Sequence, residues 1–308
     1  MGLLHRLHQR QPRARGYRIT GDPYETRKLP EYSWHDSTIM KEIKRFQVRG
    51  IPGAVTRCDF SGRTVDFWAP EGGSDHVLIA HDGQNIFDRK TATFIYTWRL
   101  AQTAIRVARE FGRRPPLIIG VFHSSSKSDP HGRSKDLCPE DPFREGVQTA
   151  SPPLLSADQL HGNSYLEKIF HEITPEIATR TYSKYMPSST AMIGSSMGGL
   201  ATLYAAIKYS DKFRAALALS PHWTLAGNAL VDWMVPKLPQ ESDFKVWMSR
   251  GTKGLDSQYK PFQERANQLM SDLHWNTQHF KSKVFHRTTH NERSWASYVD
   301  EPLRFWLG

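Results

Sequence analysis

Cysteine is nearly missing from this chain. The two that occur in 308 residues, Cys58 and Cys138, stand far apart, in no C-x-x-C pair and with no Cys/His spacing that suits zinc. This excludes a disulfide scaffold and favours a reducing compartment, so a cytoplasmic location is expected. Long apolar runs are missing too. No stretch approaches the roughly 18 residues a membrane helix needs, and no membrane span is expected. Acids are missing from one end: the first 20 residues carry five arginines and no Asp or Glu. No apolar stretch accompanies those arginines in the way a secretory signal requires.

Charge is present in excess, with a formal net charge of +10, and residues 1–50 hold 11 Lys/Arg against 5 Asp/Glu. The basic start shows neither helical periodicity nor interleaved aromatics. Residues 1–30 therefore read as a solvated, disordered tail, and 31–308 as the folded domain. A basic arm for nucleic acid, anionic lipid or an organelle receptor is the alternative reading of the tail. Beyond it the chain is only mildly basic and has no nucleic-acid-binding motif, so no nucleic-acid partner is expected.

Hydrophobic residues make up 38% of the sequence, enough for one large core. From residue 63 onward, strand and helix patterns alternate. "RTVDFWAP" (63–70), "HVLIAHDG" (76–83), "PLIIGVF" (116–122), "TAMIGS" (190–195), "FRAALALS" (213–220), "FKVWMS" (244–249) and "KVFHRTT" (283–289) read as strands. Helical periods fall at 98–112, 163–180, 197–208, 259–273 and 292–306. Residues 123–162, rich in Ser, Pro, Asp and His, read as a long irregular excursion. Continuous apolar strands separated by helices predict an α/β fold with a central, mostly parallel sheet covered by helices on both faces. Chemistry in such sheets gathers at the carboxyl ends of the strands.

One such end carries "GSSMG", which fits G-x-S-x-G with Gly194, Ser196 and Gly198. The central serine is Ser196, not Ser195. A strand before it and a helix after it form the context of a nucleophile elbow, in which a strained turn lifts the serine off the strand end. The bland alternative is a glycine-rich turn with a solvated serine.

A serine hydroxyl needs a base. His290, just after the last strand and at the start of the last helix, has the right place in chain order. His286 reads as a residue within the strand. The acid should follow the preceding strand, where Asp256 stands. Its competing reading is an N-cap for the next helix. Glu292 is a weaker candidate acid, or simply a first-turn helix acid. The oxyanion donors expected of such an elbow are the N–H of Met197 and one N–H from the "HDGQNIFD" turn, at Gly83, Gln84 or Asn85. Asp82 and Asp88 lack a third hard ligand at useful spacing, and no metal or organic cofactor is expected.

Six blocks, from "LIAHDGQNIFD" through "AMIGSSMGGLATLYAAIKYSDKFRAALALSPHW" to "HNERSWASYVDEPLRFWLG", together resemble the putative-esterase family of α/β hydrolases. That family groups enterochelin-esterase-like enzymes, esterase D, feruloyl esterases and mycolyltransferases. The resemblance runs from about residue 60 to the C-terminus, in the family's order, and leaves the basic start without a counterpart. It implies an α/β-hydrolase fold, with Ser196 as nucleophile, His290 as base, Asp256 as acid, and Met197 with the Gly83–Gln84 backbone as oxyanion donors. The expected activity is cleavage of a small-molecule carboxylic ester through an acyl-enzyme. An acyltransferase using the same acyl-enzyme, and a non-catalytic binding protein on this fold, are the alternatives.

The excursion at 123–162 and the segment at 220–234 are expected to wall the pocket. Trp223 and Trp233 could stack on a substrate ring or serve packing. Lys127, Arg133 and Arg144 could favour an anionic group or be solvated.

Overall fold

The computed structural model describes residues 40–150, 155–240 and 243–308, so the expectation of a disordered tail at 1–30 lies outside the described residues. Among these, nine strands form one mixed sheet: β1 (Met40–Phe46), β2 (Val55–Phe60), β3 (Arg63–Trp68), β4 (Val77–Ala80), β5 (Leu117–Val121), β6 (Thr190–Ser195), β7 (Ala215–Leu219), β8 (Lys245–Gly251) and β9 (Phe280–Phe285). Their spatial order is β1-β2-β3-β5-β4-β6-β7-β8-β9. The first three pairings, up to β3 with β5, are antiparallel, and every pairing from β5 to β9 is parallel.

The central strands β4, β5 and β7 are apolar along their length, β6 is apolar between Thr190 and Ser195, and all four are buried at every position, as parallel strands covered on both faces must be. β1 is different. Its "MKEIKRF" is largely exposed and charged, which suits an outer strand, because charge discourages pairing with another chain.

Helices fill the connections: α1 (Leu100–Glu110), α2 (Gly132–Leu137), α3 (Asp141–Arg144), α4 (Gly162–Lys168), α5 (Thr174–Arg180), α6 (Met197–Lys208), α7 (Asn228–Met234), α8 (Lys260–Asp272), α9 (Glu292–Tyr298) and α10 (Asp300–Leu307). A π-helical turn at Ile169–Ile173 joins α4 to α5. Side chains alternate between the faces of a strand. Leu78 and Ala80 of β4, Ile193 of β6 and Leu217 of β7 share one core with α1, α9 and α10. Helix α6, buried from Gly198 to Ala206, packs on β6 and β7.

The expected strands and helices recur with bounds shifted by a few residues, β8 running on to Gly251 and β9 starting at Phe280, and the irregular excursion contains the short helices α2 and α3. One expectation is corrected. β9 ends at Phe285, so His286 is not inside the strand. It lies exposed in the next turn, where Arg287 takes a positive φ of 64°.

The topology positions the site. β4 pairs with β5 on one side and β6 on the other, so the chain leaves β4 in one direction and returns on the opposite side. Such a reversal opens a crevice at the carboxyl ends of the strands. The turn after β4 and the turn after β6 meet there.

Candidate active site

Ser196 follows β6 and precedes α6 with φ 57° and ψ −123°, a conformation that a residue with a Cβ rarely adopts. Three backbone bonds hold it. Its N–H donates to Leu219 O at 2.9 Å, and its own carbonyl accepts from the N–H groups of His222 at 3.1 Å and Leu200 at 3.2 Å. The turn closes tightly enough that any Cβ on Gly194 would collide with the Gly198 backbone. Ser195, by contrast, is the last residue of β6 and is buried in the sheet.

The last strands bring in the histidine and the acid. His290 Nδ1 lies 2.6 Å from Asp256 Oδ1. The Oδ2 atom of Asp256 accepts from Gly251 N–H at 2.7 Å and from the Ser220 hydroxyl at 2.9 Å. Asp256 is wholly buried, and its oxygens are occupied by residues from the ends of β7, β8 and β9. Helix α8 starts at Lys260 with Tyr259 in the cap position and no side-chain cap, so Asp256 does not cap it. The next residue anchors His290: Asn291 caps α9, its side chain accepting from Ser294 N–H at 2.9 Å. The imidazole also meets the rings of Trp295, at 5.0 Å between centroids, and Tyr259, at 5.4 Å.

Tyr259 joins the two halves of the site. Its hydroxyl meets the side chains of Ser196 and Thr224 and lies 2.6 Å from His222 Nδ1. Burial, the negative charge of Asp256 adding to it, pushes the phenol well above its ordinary pKa and keeps it protonated. Among the described residues no hydrogen bond joins Ser196 to His290 directly. Such bonds commonly tighten only when substrate is bound.

The turn after β4 lies alongside. Asp82 sits at φ 53°, and Gly83–Asn85 form a single 3-10 turn. Gly83 packs so closely on Gly120 that a Cβ there would overlap the Gly120 carbonyl. A Cβ added at Gly198 would stand 3.2 Å from Asp82 Oδ2, which shows how near the two turns approach. Asp82 is paired bidentately with Arg133 of α2, both contacts 2.7 Å. Burial pushes the Asp82 carboxyl up, but the Arg133 charge and its two hydrogen bonds outweigh burial and hold it below its ordinary pKa.

The sequence-predicted residues therefore divide. Ser196, Met197, His290 and Asp256 gather at the strand ends with the Gly83–Gln84 turn beside them. Glu292 faces another way: its Oε1 accepts from Asn85 Nδ2 at 3.2 Å, tying α9 to the β4 turn, and burial pushes its carboxyl up. Trp223 is completely buried and serves packing. Trp233 donates to Glu145 at 2.7 Å beneath Lys237. Arg144 pairs with Glu140. Sequence reasoning missed Ser220, His222 and Tyr259. Ser220 and His222 lie in the segment expected to wall the pocket, and Tyr259 carried no signal beyond lying in the same loop as Asp256.

A family model described as "Putative esterase" matches residues 61–305. The chain belongs to this esterase family. No curated protein matches it. Among solved structures, the enterobactin esterase FES of Shigella flexneri is 15% identical, with a TM-score of 0.55 over 90% of this chain and 60% of that one. The enterobactin and salmochelin hydrolase IroE is 17% identical, with a TM-score of 0.54 over 88% and 96%. An IroE-like serine hydrolase from Shewanella oneidensis is 19% identical, with a TM-score of 0.56 over 85% and 79%. This chain thus spans about three-fifths of the Shigella esterase. These likenesses show the fold, which is that of the α/β hydrolases.

Proposed function

We propose that the chain is a serine hydrolase that cleaves a carboxylic ester of a small molecule through an acyl-enzyme on Ser196. The observation that carries the reading is the 2.6 Å contact of His290 with the fully satisfied, buried Asp256, at the same strand ends as the strained Ser196. Asp256 holds Nδ1–H of the imidazole, which leaves the lone pair on Nε2 free to act as base. Ser196 Oγ attacks the ester carbonyl, and His290 takes its proton and returns it to the departing alcohol oxygen. The N–H of Met197, at the start of α6, and a backbone N–H of the Gly83–Gln84 turn stabilise the oxyanion. Each such donor lowers the barrier by about 3 kcal/mol. Water, activated by the same histidine, then releases the acid.

The Shigella esterase and IroE act on enterobactin, which makes that ester a reasonable first substrate to try. The buried, unpaired Cys58 and Cys138 fit action in a reducing compartment such as the cytoplasm. Among the described residues no helix is long and apolar enough to cross a membrane.

Labelling with a fluorophosphonate, followed by peptide mass spectrometry, tests the reading. The label should sit on Ser196 and disappear in Ser196→Ala. An intact protein that takes no label, or takes it elsewhere, sinks the proposal.

A further inference from the structure

A cavity of about 450 Å³ opens beside the elbow, with Met197 and His222 on its inner wall. Its remaining walls come from the excursion and from the segment after β7, with Phe143, Val147, Leu160 and Leu225 as the main apolar surfaces. The size lies in the roughly 300–1,000 Å³ range of small-molecule pockets. Among the described residues no Asp, Glu, Lys or Arg lines it. Two cations that adjoin lining residues in sequence are committed elsewhere: Arg133 to Asp82 and Arg144 to Glu140. The lining thiol, Cys138, is kept neutral by burial, which pushes it up to about 12.

The cavity has a side. Its lining ends at Leu225 and includes nothing from the His290 loop or α9. In the proposed reaction the leaving oxygen must reach His290, while the carbonyl sits at the Met197 N–H. A chain running from that carbonyl into the cavity is therefore the acyl half of the ester.

Ser134, Gln148, Thr149, Ser156 and Thr224 also line the cavity, and His222 is the polar group tied by hydrogen bonds to both the nucleophile turn and Tyr259. His222 has its Nδ1 2.6 Å from the Tyr259 hydroxyl. Tyr259 is assigned as the donor to Nδ1, because a phenol O–H is the better donor of the two and a neutral imidazole nitrogen is a strong acceptor. The remaining nitrogen, Nε2, then carries the proton. Burial first, then the charges of His290 and Arg133, lower the His222 pKa to about 4, so the ring is neutral at ordinary pH. The backbone N–H of His222 bonds to the Ser196 carbonyl, which locks its position relative to the nucleophile.

We infer that this cavity is an acyl-binding site for an uncharged, largely apolar acyl group, and that His222 Nε2–H binds an oxygen carried on that group. The inference rests on the reading of Ser196 as nucleophile. A carboxylate placed there would lose its hydration and find no cation, which is costly. A neutral chain gains from leaving water.

The test is a panel of p-nitrophenyl esters: acetate, hexanoate, 4-oxopentanoate, and the anionic adipate half-ester. In the intact protein, kcat/KM for hexanoate should exceed that for the adipate half-ester by about a hundredfold. Filling the cavity with Leu160→Trp, or with Val147→Phe if the first variant does not fold, should lower the hexanoate-to-acetate ratio by about tenfold. His222→Phe should lower the 4-oxopentanoate-to-hexanoate ratio by about tenfold, and His222→Gln, which keeps an N–H donor, should restore much of it. An equal rate with the anionic ester, or ratios unmoved in folded cavity-filling variants, overturns the inference while the nucleophile reading stands. If instead the intact protein takes no fluorophosphonate label, the nucleophile reading fails. Calorimetric titration with hexanamide against adipic acid monoamide then decides the cavity: tighter binding of the neutral amide supports it, and equal or reversed affinity overturns it.

Discussion

Asp256 and His290 are 34 residues apart in sequence and 2.6 Å apart in space, and neither Asp256 oxygen faces solvent. Asp256→Asn should therefore lower kcat by about 10⁴, because the amide cannot hold the imidazole in its base-competent tautomer. The melting temperature should fall modestly, since the amide cannot satisfy all three donors that now meet the carboxylate. Glu292→Gln, by contrast, keeps a polar contact with Asn85 and should cost less than tenfold in kcat. Steady-state kinetics on both variants decide between them, and a near-normal rate in Asp256→Asn rejects the acid.

Ser196→Ala should remove about 10⁵–10⁶ in kcat, as loss of a nucleophile does elsewhere. Ser195→Ala should retain most activity, because Ser195 ends β6 inside the sheet. If the Ser195 variant is the dead one while its circular dichroism is unchanged, the elbow register is wrong.

Arg133→Met leaves Asp82 buried without its cation. Breaking such a pair costs about 3 kcal/mol. Asp82 adjoins Gly83, so the turn proposed to hold the oxyanion should loosen as well, and kcat should fall more than KM rises. Denaturant melts and Michaelis–Menten kinetics measure the two effects separately. Unchanged stability would mean that solvent screens the pair.

Acid should destabilise the fold in a defined window. His81 is fully buried, and burial lowers its pKa from the ordinary 6.5 to about 4. His222 is lowered to about 4 as well. Between those values the unfolded chain binds protons that the folded chain refuses, so stability falls as pH drops from about 6.5 to 4. Thermal melts across that range should show the decline, and His81→Asn should make it shallower while His222 keeps the remainder. A melting temperature that is constant across the window contradicts this account.

Removal of residues 1–30 should leave kcat/KM within about twofold, because every described residue of the candidate site lies after Ala80. An inactive but soluble truncation would assign the basic start a part in the reaction.

The central strands were legible because burial on both faces demands unbroken apolar runs, and "TAMIGS" and the helix after it fall where their pattern places them. β1 and β2 were not. β1 is charged and exposed, and β2 contains Arg57, which is tolerated in a buried strand because Asp66 of β3 meets it at 2.7 Å. That partner is visible only once the strands pair. The acid was ambiguous for the same reason. Asp256 has a sequence context equally fit for a helix cap, and its bonding partners come from three separate strand ends. The Tyr259–His222 contact joins two loops with no local pattern in common. His286 reads as part of the strand because the β-branched Thr288 and Thr289 follow it, while the turn at Arg287 breaks the pairing.

The order of strands carries a mechanical consequence. The proposed nucleophile follows β6, in the middle of the sheet, but the proposed base follows β9, which among the described residues has a neighbour on one side only and is partly exposed along its length. Native-state openings are cheapest at such margins. Fraying of β9 would carry His290 away while β4 to β7 stayed intact. Catalytic competence and foldedness are then separate quantities: under mild denaturant the population would hold its spectroscopic signature after its turnover had begun to fail.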